Sequence, residues 1–174
     1  GMNGTYFCPS EYGPSCANET NGFFWKVYNS RLGKMINQSN GLGEFDPFIT
    51  FGPGGVHYYR EWNDWFKAGD QISAGLNSKP RLIEGGQTVL DSGSLDAKQR
   101  DTKTNRVAIG LKGNTLYAVI TRNATVPNLA AVMKALEVDS AMNVDGGGSS
   151  AMIYRGSYKV GPGRGLPNAI LFKE

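Results

Sequence analysis

A lone acidic residue near the end of the chain is followed by three glycines and two serines. The run is Asn143-Val144-Asp145-Gly146-Gly147-Gly148-Ser149-Ser150. Glycine lets another group approach the main chain closely, and successive free N–H groups in such a loop form an anion-binding concavity. An acid beside this loop therefore indicates a site for a negatively charged substrate. The structural alternative is a glycine-rich hairpin turn in which Asp145 bonds to the local backbone.

Two arginines in strongly patterned segments are candidates for binding a phosphate. Arg106 begins the apolar segment 106–110, and Arg164 lies between two glycines in the tail. A guanidinium binds phosphate oxygens through a bidentate fork. A solvated surface charge is the alternative for each of them. Asn3 is predicted either to hold a sugar hydroxyl or to brace the loop that carries Asp145.

The elements that must position these residues are mostly short strands joined by glycine or asparagine turns. A strand is predicted over 23–28. Hairpins are predicted for 48–51 with 56–59, 81–84 with 87–90, and 107–111 with 116–121.

Two helices are predicted. Leu129, Val132, Met133 and Leu136 form one apolar stripe, and Pro127 is acceptable in the first turn of that helix. The second helix covers 61–67, where an aromatic face formed by Trp62, Trp65 and Phe66 is more typical of a core than of a sugar platform.

The polar segment 92–105 is predicted to be a long surface loop, with a lid over the site as the functional alternative. We expect one α+β domain over residues 1–174, with a mostly antiparallel or mixed sheet and a few packed helices.

Composition excludes several classes of protein. The chain has 174 residues, enough for one domain with a substantial core. Its net charge of +3, from 18 basic and 15 acidic residues, is too small to indicate nucleic-acid binding. No apolar run approaches the length of a transmembrane helix.

The two cysteines favour an exported protein. Cys8 and Cys16 lie close together in a polar stretch, and His57 is the only histidine, so a local disulfide is favoured over a metal site. Sequons at four asparagines are compatible with export. We therefore predict a secreted or cell-envelope protein whose leader has been removed.

Taken together and in this order, the patterned segments resemble the phosphodiester glycosidase family. They are 3–7, 74–82, 106–110 and 143–150, followed by Arg164. The resemblance covers nearly the whole chain. Bacterial members of the family are often labelled exopolysaccharide biosynthesis proteins. Family domains usually carry further strands before the segment equivalent to 3–7, so we expect either a minimal domain or one whose native N-terminal strands are lost or lie elsewhere.

The resemblance implies cleavage of a sugar-1-phosphodiester, such as that of N-acetylglucosamine, into free sugar and a phosphomonoester. Most glycosidases need two carboxylates, but a phosphomonoester is a weak base with a second pKa of about 6. It therefore departs with little proton donation, and one carboxylate suffices. Asp145, as general base or nucleophile, and Arg106 are the predicted catalytic residues. The predicted substrate-binding residues are Asn3, Gly146, Gly147, Gly148, Ser149, Ser150 and Arg164.

No metal or other cofactor is required by these residues. The expected partner is a small-molecule or polysaccharide sugar phosphate, and the oligomeric state is left open. Glu44 and Asp46 are the alternatives for a second carboxylate. A P-loop is excluded, since its lysine is missing.

Two other functions stay open at the level of sequence. The first is a non-catalytic carbohydrate-binding module, in which Trp25, Trp62 and Trp65 stack on sugar rings. The second is an assembly component of an envelope polysaccharide machine, which uses the site only for docking.

Overall fold

The computed structural model describes residues 1–12 and 22–172. Over these residues the chain forms short strands and three α-helices. In chain order they are β1 (Met2–Asn3), β2 (Val27–Asn29), β3 (Lys34–Ile36), β4 (Phe48–Gly52), β5 (Gly55–Tyr59), α1 (Trp62–Ala68), β6 (Ala74–Asn77), β7 (Arg81–Glu84), β8 (Gln87–Thr88), α2 (Ala97–Asp101), β9 (Thr104–Lys112), β10 (Thr115–Ala124), α3 (Val126–Ala135), β11 (Ser140–Val144), β12 (Met152–Tyr154), β13 (Ser157–Val160) and β14 (Ala169–Ile170).

The strands form three antiparallel sheets, which confirms the α+β class. The central sheet has the order β10-β9-β11-β7-β8, and a second five-stranded sheet has the order β3-β2-β6-β4-β5. A four-stranded sheet has the order β13-β12-β1-β14. The three predicted hairpins are present as β4–β5, β7–β8 and β9–β10. Strand β8 ends at Thr88, earlier than predicted.

The central sheet is buried on both faces because alternate side chains of β9 point to opposite sides. Val107 and Ile109 join an apolar cluster shared with the second five-stranded sheet. Ala108 joins a different cluster, which is shared with α3. Strand β11 follows the same alternation, with Met142 in the first cluster and Ala141 in the second. The end of β11 is therefore held in a well-packed part of the molecule.

Helix α3 forms as predicted but buries a different face. Thr125 and Asn128 form a capping box at its N-terminus. The buried residues are Val126, Leu129, Ala130 and Met133, at positions i, i+3, i+4 and i+7. The predicted stripe is therefore half wrong, because Val132 and Leu136 are 36% and 37% exposed.

The segment 92–105 was predicted to be a loop, and this prediction is wrong. It contains a 3-10 turn over Ser92–Ser94, then helix α2, and β9 already begins at Thr104. Asp91 and Asp96 accept hydrogen bonds from backbone amides at the two N-termini, which satisfies donors that a helix start otherwise leaves free. Leu95 is 5% exposed and anchors the segment in the core.

The aromatic elements also differ in part from the prediction. Strand β2 begins only at Val27, and Phe23 forms an isolated bridge with Phe7 instead. The second predicted helix is present as α1. Its Trp62 is 4% exposed and belongs to the core, whereas Phe66 is 54% exposed.

Several predictions about export stay predictions. Cys8 is disulfide-bonded, and its predicted partner Cys16 lies outside the described residues. One sequon is not available for modification, because Asn3 is only 1% exposed and glycosylation needs a surface asparagine. Among the helices of the described residues, none combines the length and apolar character needed to cross a membrane.

Candidate active site

Asp145 lies at the end of β11, where the chain leaves the central sheet and crosses to the four-stranded sheet. The glycine run is therefore not a hairpin turn, because β11 and β12 belong to different sheets. Asn3 ties both ends of this crossing loop. Its Nδ2 donates to the Asp145 carbonyl at 2.7 Å, and its Oδ1 accepts from the Ala151 amide at 3.0 Å. Of the two roles predicted for Asn3, the geometry matches bracing, since both ends of the buried amide are occupied.

A close contact or a positive φ angle favours glycine at each of the three positions. A Cβ at Gly146 would lie 2.9 Å from the Asn105 carbonyl oxygen. Gly147 has a φ of +59°, which disfavours other residues. A Cβ at Gly148 would lie 2.8 Å from Arg164 Nη2. The last of these contacts brings the second candidate arginine directly against the loop.

The Asp145 carboxylate is partly buried. Burial raises its pKa, while a hydrogen bond from the Ser149 hydroxyl, the Gly146 amide and the charges of Arg164 and Lys98 oppose that rise in pKa. The Gly146 amide donates to Asp145 Oδ1 at 2.8 Å. A carboxylate with a raised pKa is a stronger base, and it is suited to accept a proton from water near neutral pH.

Arg164 lies against Gly148, on the side of the loop that we call its outer side. Its Nε lies 2.9 Å from Glu11 Oε1, and its guanidinium packs over the Tyr12 ring at 5.6 Å. The neighbouring Gly163 amide donates to the Gly148 carbonyl at 2.7 Å, which fixes the tail against the glycine run. This arginine is therefore next to the loop, partly exposed and able to meet an anionic ligand.

Arg106 is placed differently from the prediction. It is 7% exposed, and its Nη2 donates to the carbonyls of Lys98 and Thr102, the latter at 2.8 Å. Its Nε donates to the Ala124 carbonyl at 3.3 Å. A fork free to bind phosphate is not the observed arrangement, because this edge of the guanidinium holds α2. Burial lowers the pKa of Arg106, and electrostatic interactions with Tyr6, Asp96 and Asp145 raise it. The guanidinium therefore interacts electrostatically with two residues of the site although it does not present a free fork.

Sequence reasoning missed Tyr6 as a residue of the site. Its hydroxyl accepts hydrogen bonds from Asn143 Nδ2 and from Gln99 Nε2, the latter at 3.1 Å. Burial and the charge of Asp145 raise the pKa of Tyr6 above its ordinary value, so the phenol stays protonated. The available signal was its position in the same short segment as Asn3.

The two serines after the glycines differ in their contacts. The Ser149 hydroxyl hydrogen-bonds the Asp145 carboxylate. Ser150 is 1% exposed, and its hydroxyl has no hydrogen-bond partner among the described residues, as is also true of Asn143 Oδ1. Buried polar atoms without a partner are rare in folded proteins and call for an explanation such as a bound group.

Replacing Ser149 by alanine is expected to move the acid limb of the pH–activity profile to higher pH. The hydroxyl stabilises the charged form of Asp145, so its loss raises the pKa of the carboxylate further. A base or nucleophile must be ionised, and activity is therefore lost at a higher pH as the solution is acidified. The measurement is kcat/KM against pH, with Ser157→Ala, at an exposed serine of β13, as the matched control. An unmoved limb in Ser149→Ala would show that another group sets it.

Other sequence candidates lie away from this loop. Asp46 accepts from Trp25 Nε1 at 2.9 Å, and His57 contacts the Gly54 carbonyl at 3.0 Å. A metal site would need a group of at least three His, Cys, Asp or Glu side chains. Residues 1–12 and 22–172 contain no such group.

Comparison with known proteins identifies the family and supports the fold. The family model of phosphodiester glycosidases matches residues 2–173. No curated protein matches the chain by sequence.

One solved structure is similar in fold, and a second matches part of the chain. One is zebrafish N-acetylglucosamine-1-phosphodiester alpha-N-acetylglucosaminidase, a catalytic domain auto-inhibited by its pro-peptide. It superposes with a TM-score of 0.69 at 18% identity, over 92% of this chain and 55% of that chain. The other is a hypothetical protein from Synechocystis, with a TM-score of 0.48, 20% identity and coverage of 64% and 22%. The chain thus spans about half of the zebrafish chain, 55%. On the family match, which runs over nearly all of its residues, the chain belongs to the phosphodiester glycosidase family.

Proposed function

We propose that this protein hydrolyses sugar-1-phosphodiesters at the bond between the anomeric carbon and the phosphate oxygen. The observation that carries the proposal is the pairing of a partly buried carboxylate with a raised pKa, Asp145, with a partly exposed arginine, Arg164, across one glycine loop. The carboxylate suits attack on the sugar, and the cation suits the phosphate. Membership of the phosphodiester glycosidase family supports the same reaction.

The phosphate is expected to lie on the outer side of the loop. Arg164 supplies the charge there, and the hydrogen bonds recorded between described residues leave the amides of Gly147 and Gly148 without an acceptor. A cation and two free amides together can bind phosphate oxygens and stabilise the charge that develops on them. Arg106 adds positive potential from behind while it holds α2 in place.

In the reaction, the bond from the anomeric carbon to the bridging oxygen breaks, and both bonding electrons leave with the phosphomonoester. Asp145 either takes a proton from the attacking water or attacks the anomeric carbon itself. In both cases water supplies the new hydroxyl of the sugar. Little protonation of the leaving group is needed, because a phosphomonoester is a weak base. The anomer first released distinguishes the two routes, since attack by water inverts and a covalent intermediate retains.

Product analysis tests the proposal. Wild-type protein is incubated in ¹⁸O-labelled water with UDP-N-acetylglucosamine and with the methyl phosphodiester of N-acetylglucosamine-1-phosphate. We expect free sugar carrying the label and an unlabelled phosphomonoester or diphosphate. Label in the phosphate, with release of sugar-1-phosphate, would instead show cleavage at phosphorus and would reject the glycosidase mechanism.

Glu11 is expected to compete with the substrate for Arg164. Its Oε1 lies 2.9 Å from Arg164 Nε, where a phosphate oxygen would have to bind. Glu11→Gln should lower KM by about two- to fivefold, since exposed ion pairs contribute about 0.2–1 kcal/mol, and leave kcat largely unchanged. The matched control is Glu137→Gln, which breaks an exposed ion pair with Lys112 on another surface. A KM that is unchanged or higher in Glu11→Gln would contradict the competition.

A further inference from the structure

A polar cavity adjoins the site. It has a volume of about 480 Å³, which is within the usual range for small-molecule sites. Its walls come from the start of β7, the residue after β5, the 3-10 turn and α2. Six of the lining residues are charged, three of each sign: Arg60, Lys79, Arg81, Asp46, Glu84 and Asp91. We call this cavity the charged cleft.

The charged cleft is connected to the active site through direct contacts. Gln99 lines the cleft and donates to the Tyr6 hydroxyl at 3.1 Å. Lys79 and Pro80 also line it, and their carbonyls accept from Asn143 at 3.1 and 3.0 Å. Since Asn143 stands two residues before Asp145, a ligand in the cleft contacts residues that adjoin the catalytic loop.

The balance of charges in the lining indicates which kind of ligand the cleft would bind. Equal numbers of cations and carboxylates give no net charge to attract a second phosphate, and only Pro80, Val89 and Leu95 are apolar. Each hydroxyl group both donates and accepts hydrogen bonds. A group with many hydroxyls can therefore donate to the carboxylates and accept from the cations, whereas an apolar group would leave both without a partner.

Two of the cations are available for such contacts. Arg60 has a 65% exposed side chain, and its recorded partner is Glu84, at a loose 3.7 Å. Lys79 Nζ lies over the Trp25 ring at 5.1 Å, and no hydrogen bond from it is recorded within the described residues. By contrast, Arg81 is held by the Phe45 carbonyl at 2.6 Å.

We propose that the charged cleft is a subsite for a polyhydroxylated part of the substrate, either the transferred sugar or the group esterified to the far side of the phosphate. This inference rests on the proposed function for the position of the phosphate. It adds that substrates with a hydroxyl-rich group in the cleft bind more tightly than those without one.

The test is binding rather than turnover, measured by calorimetry at 0.15 M salt on a protein carrying Asp145→Asn. The ligands are diesters of N-acetylglucosamine-1-phosphate whose second group is methyl, cyclohexylmethyl or the 6-position of glucose. Arg60→Ala with Lys79→Ala removes two cations of the cleft. The matched control is Arg31→Ala with Lys34→Ala, which removes two exposed cations around the β2–β3 turn and so changes the net charge equally.

We expect the cleft variant to lose about tenfold or more in affinity for the glucose ester, since hydrogen bonds to charged groups are worth about that much each. If only the glucose ester is affected, the cleft takes the far group. If all three esters are affected equally and the control is not, the cleft takes the transferred sugar. Equal behaviour of the cleft variant and the control, or no binding of any ester, overturns the proposal. Tight binding without turnover by wild-type protein would instead reject the hydrolase function and leave the subsite standing.

Discussion

Replacing Asp145 by asparagine is expected to lower kcat by about 10²–10⁴-fold, the range typical of a lost general base. The amide has the same shape as the carboxylate but can neither take a proton from water nor attack the anomeric carbon. Substrate affinity should change little, because Arg164 and the loop amides remain. The measurement is single-turnover release of free sugar beside calorimetric binding, for wild type and for Asp145→Asn. The control is Asp64→Asn, an exposed carboxylate of α1.

The same variant has a second readout that separates a site residue from a structural one. Burial raises the pKa of Asp145, so the folded state binds a proton more tightly than the unfolded state. Stability then falls as pH rises from the ordinary aspartate value of about 3.9 through the raised pKa. Asparagine has no such charge, and we expect Asp145→Asn to melt at a higher temperature than wild type at pH 7, with a difference that shrinks in acid. Lower stability at all pH values together with lost activity would indicate a structural role. Modestly weaker sugar binding and no wild-type turnover would indicate a carbohydrate-binding module.

Replacing Arg164 by lysine is expected to lower kcat/KM by about 10²–10³-fold, as when one preorganised donor to a developing anion is removed. Lysine keeps the charge but not the two-pronged donor geometry. The loss should also appear in the inhibition constant of inorganic phosphate, because this ligand probes the anion position without a sugar. Arg155→Lys is the control, since Arg155 is an exposed arginine at the β12–β13 turn.

A second effect of Arg164 concerns pH. Its charge opposes the rise in the pKa of Asp145, so Arg164→Ala should shift the acid limb of activity upward as well as weaken phosphate inhibition. An Arg164→Lys protein with unchanged phosphate inhibition would place the anion elsewhere.

Local patterns in the sequence predicted much of this site. The acid and the glycine run are adjacent along the chain, so their proximity needs no knowledge of the fold. The role of Gly148 is different, because what it accommodates is Arg164, and that contact depends on how the tail returns to the loop. The dual hydrogen bonding of Asn3 likewise depends on the pairing of β1 with β12, which no periodicity in the sequence shows.

The errors have equally specific causes. In α3 the predicted stripe gave weight to Val132 and Leu136 over the smaller Ala130, yet the alanine is 1% exposed and belongs to the core cluster between the helix and the sheet. In the segment 92–105 high polarity hid a 3-10 turn and a helix whose capping residues, Asp91 and Asp96, are themselves polar. Tyr6 was missed because a single tyrosine in a strand-like segment is ordinarily a core residue, and only the fold brings it beside Asn143 and Gln99.

The crossing of the Asp145 loop from one sheet to another has a consequence for how such a domain can vary. The loop is anchored by β11 in the central sheet and by the contacts of Asn3 and Gly4, which come from the four-stranded sheet and its exit. Asp145 therefore lies at the junction of two sheets. The direction of its side chain depends on how the two sheets are placed relative to each other rather than on either sheet alone. Outer strands and loops far from this junction are free to lengthen, shorten or change in sequence without moving the Asp145 carboxylate. Insertions between β11 and β12 are not, because an extra residue there would change the spacing between the Asp145 carbonyl and the Ala151 amide, which Asn3 joins.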